Sequence, residues 1–145
     1  VQRRTLSAWI LLICGLWLIG LGAYFMFLRP ALFPEDLRYL GKTLSDLDAV
    51  LPGLHSWLRR VFTVMGAFIS ATGILTVFVV TTVSPRGGRM AGIVLAIVGL
   101  LSVITMSATN FAIDSDFKWL LVVPALLWVV GIVIYFREVA CARHS

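Results

Sequence analysis

Four stretches of the chain, residues 5–28, 61–85, 90–113 and 119–136, contain no Asp, Glu, Lys, Arg or His. A helix needs about 20 apolar residues to cross a hydrocarbon layer roughly 30 Å thick. The first three stretches fit with some tilt, and the 18 residues of the fourth imply a helix standing nearly upright. Apolar side chains run all round each stretch, which in water would leave large apolar faces exposed. A hydrophobic fraction of 60% against 13% charged residues agrees with a bilayer as the main solvent. The sequence therefore predicts an all-α membrane protein: one up-and-down four-helix transmembrane bundle with spans near 6–28, 61–84, 90–112 and 119–136. The first apolar run is longer than the roughly 7 to 15 residues of a signal core, so it is expected to remain as a span.

Four spans put both termini and the segment 84–89 on one side, with the loop 30–60 and the turn around Asp114 on the other. The terminal side carries Arg3, Arg4, Arg86, Arg89, Arg137 and Arg143 in short segments against Glu138. The opposite side carries as many basic residues, spread over longer loops and mixed with Glu35, Asp36, Asp46, Asp48, Asp114 and Asp116. Density of basic residues near the spans favours cytoplasmic termini, although Arg59 and Arg60 count against it. A tight loop on one side and a leucine-striped loop on the other is the general style of small bacterial membrane proteins, so a bacterial plasma membrane is the expected location.

Within the outer loop, Leu37, Leu40, Leu44, Leu47, Leu51 and Leu54 recur at spacings of three and four. Arg38, Lys42 and Asp46 fall on the other face, the pattern of an amphipathic helix lying on the membrane or over the bundle. Gly41 is a candidate break and Pro52-Gly53 a stop. An internal echo links Asp36-Leu37-Arg38-Tyr39-Leu40 to Asp116-Phe117-Lys118-Trp119-Leu120, 80 residues on. It fits two helical hairpins of the same orientation, and equally the general taste of exposed helix starts for acids and interfacial aromatics.

Ionisable groups at mid-membrane cost about 2.5 to 3.5 kcal/mol each and mark ion-coupled transport. The spans hold none, which argues against that class. His55 and His144 lie on opposite sides and cannot share a haem, and Cys141 with His144 gives too few ligands for a metal. No nucleophile, metalloprotease or nucleotide motif occurs. No cofactor or metal is expected. The acids Asp114 and Asp116, with Ser115, Asn110 and Glu35-Asp36 on the same side, could gather a divalent cation, but helix capping explains them more simply. Asp36, Arg38, Tyr39, Asp114, Asp116 and Lys118 form the candidate outer-face polar site.

Two further sets are legible. Thr63, Gly66, Ser70 and Gly73 in the second span and Gly92, Ala96, Gly99 and Ser102 in the third form small-residue stripes, read as the seam between those two helices or between two copies. Trp17 and Trp128 fall at mid-depth, where tryptophan is uncommon, level with Thr72, Gly73 and Ser102. Either the indoles pack into the space the small residues leave, or this group lines a pocket for an apolar ligand.

The leading functional expectation is a non-catalytic accessory or self-associating structural component. A binder or oligomeric carrier of hydrophobic small molecules or lipids is the alternative, and a lipid-acting enzyme at the outer face the third. Partners are membrane lipids and another membrane protein or a second copy, with no nucleic acid. A cysteine placed at Lys42 should react with an impermeant maleimide in intact cells, and one at Arg86 only after permeabilisation; the reverse pattern would invert the topology.

Overall fold

The computed structural model describes residues 5–83 and 88–142. The turn residues Ser84, Pro85, Arg86 and Gly87, together with Arg3, Arg4, Arg143 and His144, lie outside the described residues. Four helices are long and apolar enough to cross a membrane: Leu6–Phe27, Leu54–Thr82, Gly88–Ala112 and Lys118–Cys141. No strand occurs among the described residues. The chain is an all-helical, membrane-integral four-helix bundle. In a bilayer a spanning backbone must satisfy its own hydrogen bonds, and long unbroken helices do so.

In chain order the elements are α1 (Leu6–Phe27), α2 (Pro34–Leu40), α3 (Leu44–Val50) and α4 (Leu54–Phe78), whose last turns widen into a π stretch at Val79–Val83. Then come α5 (Gly88–Gly99), a second π stretch at Leu100–Ile104, α6 (Thr105–Ala112) and α7 (Lys118–Cys141). The second and fourth spans are longer than their apolar runs. Residues 54–60 join α4 without a break, and α7 carries on past Phe136 through Arg137 and Glu138.

Glycines set the packing. A Cβ on Gly22 would run into the carbonyl oxygen of Gly66, and one on Gly73 would lie 2.6 Å from that of Gly15. Gly15 and Gly22 are seven residues apart, as are Gly66 and Gly73, so two antiparallel helices meet backbone to backbone at two levels. Between the levels the Ser70 hydroxyl donates to the Ile19 carbonyl at 3.4 Å. The second hairpin uses the same interval differently. Gly92 receives the ring of Tyr135 and Gly99 the indole of Trp128, again seven residues apart on both helices. The two hairpins join along α1 and α7, where Gly131 lies against Leu11 and the Cys14 thiol faces the Pro124 carbonyl at 3.9 Å.

This corrects the expected seam. Gly66, Ser70 and Gly73 face α1, while Gly92 and Gly99 face α7, with Ala96 half-buried between them. Small residues encode close approach but not the partner that approaches. The arrangement also lacks the twofold symmetry that the sequence echo allowed, because α1 packs along α7 with no comparable packing of α4 on α5.

The loop 30–60 holds two short helices instead of one. Gly41 adopts φ 62°, a left-handed geometry that suits glycine and ends α2. α3 restarts on a reciprocal cap: the Thr43 N–H donates to Asp46 at 3.0 Å, and the Asp46 N–H to the Thr43 hydroxyl at 3.3 Å. α3 buries no residue, and Leu44 and the capping Leu51 are exposed.

Gly20 tests the glycine argument internally, since a Cβ there meets nothing within 4 Å. Gly73→Leu should lower the thermal stability of the detergent-solubilised protein by about 1 to 3 kcal/mol or more through overpacking, and Gly20→Leu should leave it unchanged. Equal melting of both variants would refute the close approach.

Candidate functional site

Arg29 organises the end of the bundle opposite the termini, called here the loop end. It lies just past the C-cap of α1, Leu28, and its guanidinium carbon sits 3.5 Å from the centroid of Phe62 on α4, 4.8 Å from Phe33 and 5.3 Å from Phe25. Its nitrogens reach Asp36 at 3.5 Å and the Pro30 carbonyl at 2.9 Å. Burial pulls the guanidinium below its ordinary pKa, and Asp36 is the strongest influence acting the other way. Aromatic faces attract a cation that has partly lost its water. One side chain thus ties the end of α1 to α2 and α4. Asp36 is further held by the Phe33 N–H at 2.8 Å, which caps α2.

Beside Arg29 lies a cavity of about 340 Å³, within the range of small-molecule sites. α1 and α6 both pack on α7 and not closely on each other, and the gap between them at the loop end is this cavity. Its apolar wall includes Leu21, Tyr24, Phe25, Met106 and Leu121; its polar groups are Arg29, Glu35, Asp36, Asn110 and Ser115. Phe33 and Phe117, 5.8 Å between centroids, close it from the loop. Glu35 as a residue is 7% exposed, and its carboxylate accepts from the Ser115 hydroxyl at 2.8 Å and the Asp116 N–H at 3.2 Å. These bonds fasten α2 to the turn before α7.

Of the predicted outer-face set, Asp36 lines the cavity and the others surround it. Arg38 and Asp116 pair at 2.9 Å, bringing the two copies of the sequence echo into contact. Lys118 pairs with Asp114, which holds that carboxyl below the usual carboxylate range, and Asp114 adopts φ 53°. Tyr39 is exposed. Each of these acids is engaged by a base, and no group of three metal-ligating side chains forms among the described residues. Arg29, Tyr24 and Phe33 were absent from the sequence reading of the site. The one local signal was a lone arginine directly after a span with aromatics on both sides.

The mid-depth set is not brought together. Trp17 is 40% exposed on α1, whereas Trp128 is 2% exposed and fills the space over Gly99. Its indole N–H donates to the Leu95 carbonyl at 3.0 Å, not to Thr72, Ser102 or a carbonyl near Pro124. Thr72 and Ser102 bond back to Phe68 and Val98 in their own helices, and Gly73 faces Gly15. Hydroxyls in apolar helices readily satisfy themselves on the preceding turn, which leaves none for the indole.

Trp128→Phe should therefore destabilise the protein by at least about 1 kcal/mol, the net worth of a hydrogen bond, while Trp17→Phe should be neutral. The opposite ranking in thermal melts would reverse the assignment of the two rings. No family model matches the chain, and no curated protein or solved structure matches it either, so a functional reading rests on the geometry of the site.

Proposed function

We propose that the protein is a non-catalytic membrane component that binds an amphiphilic small molecule or lipid in the loop-end cavity. The observation that carries this reading is the cavity's division into an apolar, aromatic wall and a cluster of polar groups, of which Glu35 and Ser115 are buried and the others half-buried. An apolar body would lie against Leu21, Met106 and Leu121 and displace poorly held water, while a polar head would meet Glu35 and Asn110. The mid-depth alternative loses its support, since the Trp128 indole itself fills the space over Gly99 and Trp17 faces away. Ser115 and Glu35 are hydrogen-bonded at the cavity wall, and with no histidine, cysteine or lysine among the lining residues we read the pair as a tie between α2 and the turn before α7, which favours binding over catalysis.

The density of arginines on the terminal side supports cytoplasmic termini, which would put the cavity at the outer surface of the membrane, taken here as a bacterial plasma membrane from the general style of the chain. An accessory role alongside binding draws on the uncovered leucines of α3, which leave an apolar face for lipid or another membrane protein.

Protein purified in mild detergent should carry a stoichiometric apolar or amphiphilic compound by mass spectrometry. Leu21→Trp, which fills the cavity, should remove that compound without lowering thermal stability. Wild-type protein free of any bound amphiphile, and unable to take one up, would sink the reading.

A further inference from the structure

Resting on the binding reading above, the geometry points to a ligand whose head is cationic, an ammonium group carried on an apolar body, with Glu35 as its counter-ion. Charge pairing at the loop end carries this inference. Arg29 is matched by Asp36, Arg38 by Asp116 and Lys118 by Asp114. Of the acids at the cavity and its rim, Glu35 alone forms no ion pair among the described residues, and both of its donors, a hydroxyl and a backbone N–H, are neutral. Arg29 and Arg38 sense it more weakly than they sense their own partner acids.

With 7% of the Glu35 residue exposed, its carboxylate is largely withdrawn from water. Such groups are ordinarily paired with a cation, because neutral donors alone recover only part of the loss. Each Glu35 oxygen has one assigned bond and capacity for another. The carboxylate lines the cavity, so the missing cation can come from its occupant.

The walls agree. Tyr24 and Phe117 line the same cavity and are not covered by the Arg29 guanidinium, which lies over Phe25, Phe33 and Phe62. Aromatic faces favour ammonium groups that have shed water. An anionic head would meet Glu35 and Asp36 together, with Arg29 already engaged by Asp36, the Pro30 carbonyl and three rings.

The test uses the full chain in nonionic maltoside micelles, with binding read by native mass spectrometry for dodecylammonium, dodecanol and dodecyl sulfate. Dodecylammonium should bind once per chain, at least tenfold more tightly than dodecanol, and dodecyl sulfate should not compete. Glu35→Gln keeps the shape and the acceptor for Ser115, and should reduce the amine to the level of the alcohol. The wild-type preference for amine over alcohol decides the matter even where that variant folds poorly. A parallel titration with phosphatidylethanolamine against phosphatidylglycerol separates the sources: selective uptake of the former assigns a bilayer lipid, and uptake of dodecylammonium alone a free amphiphile. Equal binding of amine and alcohol, or tighter binding of the sulfate, would overturn the cationic head and leave the binding reading standing. No binding of any probe would overturn both.

Discussion

The approach of α1 to α4 at Gly15, Gly22, Gly66 and Gly73 is the constraint on which the remaining geometry depends. With backbone oxygens where side chains would ordinarily stand, the two helices form a slab, and α1 still has a second face for α7. Lipid tails are as apolar as leucine, so nothing like the hydrophobic effect in water holds these helices together. Van der Waals contact at short range and a few polar bonds do so, and both require small residues. The glycines of α5 serve a different purpose, as sockets for Tyr135 and Trp128. The first hairpin is consequently thin and the second thick. α1 and α6 are held apart at the loop end, where no large side chain fills the gap.

That gap is bounded by a polar network that the membrane alone would not provide. Arg29, withdrawn from water, is stabilised by three rings and Asp36. Glu35 reaches across to the turn before α7, and Arg38 does so from the exposed side. Exposed pairs such as Arg38–Asp116 contribute little to stability, typically below about 1 kcal/mol. Their value here is positional, because they hold a helix of seven residues in place over the cavity. Such a helix would be marginal in isolation.

The spans were legible in the sequence because the demand for about 20 uncharged residues is local, and each of the four runs met it. The break at Gly41 and the stop at Pro52-Gly53 were legible for the same reason, since they depend on the backbone preferences of single residues. Partnership was not. Gly66 and Gly92 look alike in the chain, yet one meets a backbone and the other an aromatic ring, and only the three-dimensional arrangement distinguishes them. Trp17 and Trp128 were likewise equivalent by depth and opposite in facing. The cavity escaped because it belongs to no segment. It arises from a helix pair that fails to touch, and its key residues are scattered from Leu21 to Leu121. Its rim was found in part through Asp36, Asp114 and Asp116, whose charges stand out against an apolar chain.

The wide turn at Leu100–Ile104 bears on the phase of the third span. Along that span the buried positions Ala91, Leu95, Gly99, Val103 and Ser107 fall every fourth residue. A regular helix advances about 100° per residue, so such a series would drift round the axis by about 40° at each step and leave the α7 face within a few turns. One turn closed by five residues instead of four takes out part of that drift, and the segments before, within and after it all pack on α7. The same rephasing decides which side chains emerge beyond it. Met106 and Asn110 reach the cavity because the helix was re-indexed a turn earlier, beside the indole of Trp128. Packing at mid-membrane and the shape of the cavity are thus two readings of one angular offset, and a single-residue deletion between 100 and 104 would rotate the cavity wall as a unit.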